Sequence, residues 1–160
     1  MAQLSLEERL HRTITGDAAI IASLAKAVSE AYGEEGLEVL RGAMERTFRP
    51  IMATLAKQVG ARLGDGDVSD WAKLERFLCQ VTGIEGDIVE VSPNKGMVKV
   101  SFCPAAAQYK RVFPDLCPQV FIGLERAIAG AVNPRLRVRG EKYIPRGDEI
   151  CEIHCELEEG

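Results

Sequence analysis

Two Cys-Pro dipeptides, fourteen residues apart, are the features of this sequence best suited to chemistry. Cys103 ends an alternating apolar run before Pro104, and Cys117 precedes Pro118 close to the helix start predicted at Asp115. Proline interrupts a sheet ladder and is tolerated in the first turn of a helix, so both dipeptides are predicted to mark element boundaries. A helix N-terminus stabilises a thiolate. Cys117 is therefore the leading candidate for a nucleophile or metal ligand, and a small core residue is the alternative.

The cysteines also bear on metal binding and on the redox compartment. Five cysteines is an odd number outside any short secreted framework, which favours a reduced, cytoplasmic setting. The segment CEIHC, residues 151–155, contains three ligand-type side chains. On a strand, however, His154 points away from Cys151 and Cys155, so a zinc site that uses all three is not expected.

The turn PRGDEIC, residues 145–151, holds a second group of polar residues. Gly147 is predicted to adopt a positive φ. Arg146 and Asp148 could bind charged groups of a substrate, or they could simply form the turn.

Composition and charge limit the class of protein. A chain of 160 residues with 46% apolar and 28% charged residues is predicted to form one folded domain, residues 1–160. Its formal net charge of -4 argues against nucleic acid as the main partner. No apolar run approaches the roughly 20 residues that span a bilayer, and no signal-peptide core is visible, so a membrane partner is not expected.

Apolar spacing predicts that residues 1–83 are helical. One helix is predicted after Asp17, an interruption at YGEEG (residues 32–36), and then a longer helix in which Pro50 should cause a kink or a split. A third helix is predicted from Ser69 or Asp70 to Gly83.

Residues 84–160 change to a period of two, which predicts strands. These are 87–91, 97–102, 135–144 and 149–157, with a helix between the strand pairs. The predicted fold is therefore α+β, with a helical N-terminal half packed on a four-stranded, mostly antiparallel sheet.

Two details of this half can be predicted. Antiparallel pairing of the last two strands places arginines opposite glutamates and turns Cys151 and Cys155 towards the core. The intervening helix, from Asp115 to Ala131, contains small residues such as Gly123 and Gly130. They indicate close approach to the sheet or to a second subunit, so a homodimer is possible.

The order of these motifs resembles a known family. AYGEEGLEVLRGAMER is followed by a hairpin ending FCP, by LCP at a helix start, by NPRLRV and by RGDEIC before the last strand. Over roughly residues 17–157 this pattern resembles the L-2-amino-thiazoline-4-carboxylic acid hydrolases. The resemblance implies a bacterial, cytoplasmic hydrolase that opens a cyclic amidine or a related carbon–nitrogen bond of a small molecule, with no cofactor predicted.

The same resemblance implies roles for single residues, because its recurrent cysteines and Gly-Asp turn match positions in this sequence. Opening an amidine needs a nucleophile and a proton carrier. The predicted nucleophile is Cys117, the proton carrier is Asp148 or Glu141, and Arg146 holds a substrate carboxylate. The full set is Cys117, Cys103 and Asp148 as catalytic residues, Arg146, Glu141 and Tyr143 as substrate-binding residues, and Cys151 as a further family cysteine.

The closing segment is also similar to the four-vinyl-reductase domain, in which a glutamate and cysteines hold zinc. The alternative function is therefore a non-catalytic small-molecule- or zinc-binding module. Where that pattern has Glu and Cys, this sequence has Gly140 and Tyr143. The zinc ligands that remain would be Cys117, Cys151 and, through a bulge, Glu141. In a third, purely structural alternative the cysteines only fill the core.

Overall fold

The computed structural model describes residues 4–89 and 91–158. Helix α1 (Leu6–Val59) begins well before Asp17, where the sequence analysis places the first helix. The earlier start comes from a capping box, in which the Glu8 N–H donates to Ser5 Oγ (3.1 Å) and the Ser5 N–H donates to Glu8 Oε2 (2.8 Å). Four helical N–H groups would otherwise lack partners, so this exchange stabilises the first turn.

Gly33 divides α1 into an N-terminal arm, residues 6–32, and a C-terminal arm, residues 34–59. Its φ of 60° and ψ of -144° suit glycine and are strained for other residues, which confirms the interruption predicted at YGEEG. The chain stays helical through Pro50, so the helix does not split there, and the alternative of a kink stays a prediction. The missing hydrogen bond is outweighed because Met52 and Ala56 reach the core only if the helix continues.

Helix α2 (Val68–Thr82) confirms the third predicted helix and ends at Gly83. Its cap is Asp67, which forms a second capping box with Asp70. Trp71 and Leu74 on this helix are fully buried and form the centre of the main core.

The sheet contains β1 (Glu85–Val89), β2 (Lys95–Phe102), β3 (Leu136–Lys142) and β4 (Cys151–Leu157). Its order is β1-β2-β4-β3, and each neighbouring pair is antiparallel. This arrangement confirms the predicted α+β class, although Glu90, part of the first predicted strand, lies outside the described residues.

The register of β3 against β4 agrees in part with the predicted pairing. Arg137 lies opposite Glu156, but Arg139 lies opposite His154. Cys155 is fully buried in the core, as predicted. The outer face of the sheet therefore carries the charged side chains, and the inner face packs against the helices.

The connection from β2 to β3 contains more structure than the single predicted helix. Helix α3 (Ala106–Val112) precedes a π-helical turn (Cys117–Phe121), which leads directly into α4 (Ile122–Val132). Seven residues give too weak a periodic signal to predict α3 from sequence.

The small-residue face of α4 packs against the C-terminal arm of α1. A side chain at Gly123 would collide with the carbonyl oxygen of Arg41, whose Nε donates to the Gln119 carbonyl at 2.7 Å. The close approach is thus to a helix of the same chain, whereas the sheet or a second subunit was expected. The homodimer stays a prediction. Within the described residues, no helix combines the length and apolar character needed to span a bilayer.

Candidate functional site

A cavity of about 440 Å³ lies beside the inner face of the sheet. Its wall is formed by the N-terminal arm of α1, the end of α2, the segment that follows β2, the π-turn with α4, and the start of β4. Most lining atoms are apolar, and Glu125 is the one carboxyl group among the described lining residues. No Lys, Arg or His side chain lines the wall in the described part of the chain.

Three of the five cysteines meet in this cavity: Cys103 after β2, Cys117 at the π-turn and Cys151 at the start of β4. Sequence spacing alone did not show that they approach one another. Tyr143, a predicted substrate-binding residue, lines the same wall. The fold therefore brings four of the predicted site residues to one place.

The pKa of Cys117 is raised, not lowered as its place at a helix start suggests. Burial is the main cause, and the neighbouring Cys103, Cys151 and Glu125 add to it by disfavouring a further negative charge. Burial also raises the pKa of Cys103 and Cys151. The cavity cysteines are consequently neutral thiols near pH 7, because desolvation outweighs the helix end.

Two carboxyl groups that the sequence analysis missed approach each other beside this cavity. Glu125 projects from α4 into the wall, and Glu75 of α2 lies behind it, 6% exposed. Burial raises the pKa of both carboxyls, and the charge of Glu125 raises that of Glu75 further. The side chain of Glu75 is close enough to Glu125 to offset part of this rise. Burial therefore favours the protonated form of both carboxyl groups, and of Glu75 more strongly than of Glu125.

Unpaired polar atoms surround this pair. Oε1 of Glu75 and Oε2 of Glu125 are buried and have no hydrogen-bond partner. The Trp71 indole N–H is close enough to lower the pKa of Glu75, yet its geometry falls short of a hydrogen bond. Buried polar atoms usually have hydrogen-bond partners, so this cluster of unpaired atoms is unusual and marks a candidate functional site.

A signal for these glutamates was present in the sequence. Glu75 follows Trp71 by four residues and precedes Leu78 by three, which puts it on the apolar stripe of its helix. Glu125 stands in the same relation to Phe121 and Ile128. A carboxyl on an apolar helix face is expected to be buried and to need a partner.

Three other predicted site residues lie outside the cavity wall. Asp148 accepts a hydrogen bond from the Tyr143 N–H at 2.7 Å, and the exposed Arg146 pairs with Asp115 at 2.7 Å. Glu141 lies on the outer face of the sheet beside Arg139, with its Oε2 3.4 Å from His154 Nε2. Their roles in substrate binding or catalysis stay predictions. The positive φ predicted at Gly147 is confirmed, at 106°.

Tyr143 explains both departures from the four-vinyl-reductase pattern. A side chain at Gly140 would collide with the Tyr143 hydroxyl group. The two substitutions thus form one packing arrangement, in which the tyrosine takes the space above a bare backbone. Burial raises the pKa of Tyr143 to about 12, and nearby Cys117 and Glu125 act in the same direction.

The predicted zinc ligands are not gathered in one place. Among the described residues, one group of three ligand-type side chains has its ligand atoms within 4.8 Å of one another: Glu141, Glu152 and His154. Both glutamates of this group already pair with cations, Glu141 with Arg139 and Glu152 with Lys142. Cys117 and Cys151 lie in the cavity and Glu141 on the opposite face of the sheet, so the three do not fit a shared ion. Zinc binding stays a prediction.

Two solved structures share this fold. The phenol-responsive sensory domain of the transcription activator PoxR, determined with phenol, has a TM-score of 0.68 and 16% identity, over 88% of this chain and 74% of that chain. A trafficking protein particle complex subunit 3 from Naegleria fowleri, covalently bound to palmitic acid, has a TM-score of 0.62 and 16% identity, over 92% of this chain and 96% of that chain. At such identities the likeness shows the fold alone.

Fold and site together define an α+β domain with a largely apolar cavity beside an antiparallel sheet. No curated protein matches the chain. Residues 13–155, however, match the family described as L-2-amino-thiazoline-4-carboxylic acid hydrolase, and the chain belongs to this family. The resemblance found in its sequence motifs is confirmed.

Proposed function

We propose that the protein is a small-molecule hydrolase that opens a carbon–nitrogen bond of a cyclic amidine or related compound inside the cavity. The observation that carries the proposal is the buried pair of Glu75 and Glu125 at the wall. A carboxyl group whose pKa is raised towards neutrality is suited to take up and return a proton. Membership of the hydrolase family supports the choice of reaction.

Glu125 is the group placed to act on a bound molecule, since it lines the cavity and Glu75 does not. In the proposed reaction a water oxygen bonds to the amidine carbon while ionised Glu125 accepts the water proton. As the carbon–nitrogen bond breaks, Glu125 returns that proton to the departing nitrogen. The hydroxyl proton of the tetrahedral intermediate passes to the released amine as the carbonyl forms, and the pair regains its initial protonation state. Glu75 is a positioning residue that holds the second proton and sets the pKa of Glu125.

The cysteines have a different role in the proposed reaction from the one predicted from the sequence. A neutral thiol is a poor nucleophile, so Cys117 can attack only after a base removes its proton. Glu125 is a carboxyl close enough to influence the pKa of Cys117. Attack by a thiol activated in this way and attack by water are therefore both compatible with Glu125 as the base.

The test is hydrolysis of a panel of cyclic amidines, with release of the ring-opened product followed by mass spectrometry. Replacing Glu125→Gln is expected to lower kcat by roughly 10²–10⁴-fold, the usual contribution of a general acid–base. The matched control is Glu149→Gln, since Glu149 is exposed and does not line the cavity. Cys117→Ala separates the two nucleophiles, because water attack survives it. Equal activity of Glu125→Gln and wild type would reject the assignment.

A non-catalytic binding module is the second candidate, and the apolar cavity wall favours it. The solved sensory domain of this fold contains phenol and the trafficking subunit carries palmitic acid, so the fold can hold apolar molecules. In that case the panel is bound but returned unchanged. A cytoplasmic location and a bacterial source are part of the proposal.

A further inference from the structure

We infer that the natural ligand of the cavity carries no carboxylate and presents a nitrogen base, bound as a cation against Glu125. This inference rests on the proposed use of the cavity and names the class of compound that fits it. It departs from the compound in the family description, which is a carboxylic acid.

The charges of the wall exclude an anion. No cationic side chain lines the cavity in the described part of the chain, and the one ionisable acid there is Glu125. Arg146, the predicted partner of a substrate carboxylate, is paired with Asp115 outside the wall. A carboxylate bound here would lose its water without gaining a partner, and it would face another acid.

Among the described residues, no positively charged group pairs with Glu125, and a bound cation would provide this partner. The groups that interact with Glu125 electrostatically include Glu75 and Cys79 on α2, Cys117 on the π-turn, Tyr143, and Cys151 and Cys155 on β4, all of them acidic or neutral. Oε2 of Glu125 is buried and accepts no hydrogen bond. A bound amidinium or ammonium would supply both the charge and the donor.

Asp70 is a buried acid with a purely structural role, and it differs from Glu125 in having cationic partners. Its two carboxylate oxygens accept hydrogen bonds from Arg62 Nε and Lys73 Nζ, each at 2.8 Å. No cation of this kind is bonded to Glu125 in the described structure. The contrast indicates that the partner of Glu125 comes from outside the chain.

Binding of such a cation is coupled to proton release. Burial raises the pKa of Glu125 in the empty cavity, whereas a positive ligand stabilises its ionised form. A proton therefore leaves Glu125 as the cation enters, and the affinity for a cation rises with pH until Glu125 is ionised without a ligand. The affinity for a neutral ligand of the same shape changes much less.

The experiment compares three single-ring compounds of similar shape: benzamidine as the cation, benzamide as the neutral compound and benzoate as the anion. Binding is measured by calorimetry and by the fluorescence of Trp71, the single tryptophan, which lies beside Glu75. Benzamidine is expected to bind at least about tenfold more tightly than benzoate. Calorimetry in buffers of different ionisation enthalpy is expected to show proton release with benzamidine alone.

Substitutions test whether Glu125 is the residue that binds the cation. Glu125→Gln is expected to weaken benzamidine binding by about tenfold or more and to leave benzamide binding nearly unchanged, whereas Glu149→Gln changes neither. If Glu125→Gln does not fold, the pH dependence of wild-type binding makes the comparison, because the affinity for benzamidine should rise with pH and the affinity for benzamide should not. Benzoate binding as tightly as benzamidine, or unchanged benzamidine binding in Glu125→Gln, would overturn the inference.

These outcomes are distinct from failure of the proposed reaction. If benzamidine binds as expected while no cyclic amidine is hydrolysed, the inference stands and the hydrolase proposal fails. If amidines are hydrolysed but benzoate competes as well as benzamidine, the hydrolase proposal stands and the inference fails. If none of the three compounds binds, the cavity is not a ligand site and the inference is wrong.

Discussion

The hydroxyl group of Tyr143 lies directly above Gly140, in the space where any side chain at position 140 would begin. Tyr143 is 6% exposed and forms part of the cavity wall, so its ring cannot easily move aside. The cavity wall and the bare backbone of β3 therefore depend on each other.

This relationship predicts a measurable coupling between the two positions. Gly140→Ala is expected to lower the free energy of unfolding by about 1–3 kcal/mol, because the added methyl group displaces the ring. In a Tyr143→Ala background the same substitution is expected to cost far less. Urea denaturation of the four proteins of this cycle measures the coupling, and an equal cost in both backgrounds would disprove it.

The raised pKa values of the cavity cysteines predict slow alkylation. At neutral pH, Cys103, Cys117 and Cys151 are expected to react with iodoacetamide more slowly than in the urea-unfolded chain, since little thiolate is present. Their rates should still be rising with pH above the ordinary thiol pKa. Mass spectrometry assigns each site. A fast reaction at pH 7 that disappears in Cys117→Ala would show instead that this thiol is activated.

The lowered pKa of Asp70 predicts how the free energy of unfolding depends on pH. Burial alone would raise its pKa, but hydrogen bonds from Lys73, from the backbone at Arg62 and Asp67, and from the Arg62 side chain lower it to about 2. Because the folded pKa lies below the unfolded value of about 3.9, this stabilisation is complete above pH 4 and is lost as pH falls towards 2.

Asp70→Asn is therefore expected to lower the free energy of unfolding near pH 7 by about 1–2 kcal/mol, allowing for solvent screening of its half-exposed partners. The difference from wild type should vanish near pH 2. Denaturant unfolding between pH 2 and pH 7 measures both. Asp65→Asn, at an exposed site in the loop that precedes α2, is the control and should change little. A difference that persists at pH 2 would contradict the assignment.

Gly33 and Gly16 form a matched pair within α1. Gly33→Ala is expected to cost about 1–3 kcal/mol, because φ 60° with ψ -144° is strained for a residue with a Cβ. Gly16→Ala is expected to stabilise the protein by up to about 1 kcal/mol, since it is helical, exposed and free of contacts within 4 Å. Thermal unfolding compares them, and effects of the same sign would contradict the break at Gly33.

Local signals explain why much of the fold could be predicted. The three-to-four spacing of apolar residues, the glycine-rich interruption and the alternation of the last two strands each depend on neighbours in the sequence. The same holds for the positive φ of Gly147 and for the core position of Cys155. Where local signals are short or compete, the sequence is less informative: α3 was not predicted, and the helix does not split at Pro50.

The candidate site was predictable only in part for the same reason. Cys103, Cys117, Cys151 and Tyr143 were singled out by type and position, and the fold does bring them to one cavity. The activation of Cys117 by a helix end was a local argument, whereas burial by several elements raises the pKa of this thiol.

The sequence by itself determined the α+β class and the family, and it singled out the cysteines of the site by type and position. Only the tertiary structure decided that Glu75 and Glu125, fifty residues apart, approach each other beside an apolar cavity, and that Asp148, Arg146 and Glu141 lie outside its wall. The physical reason is that burial and charge pairing are properties of residues distant in the sequence. Such contacts exist only after the helices have packed on the sheet.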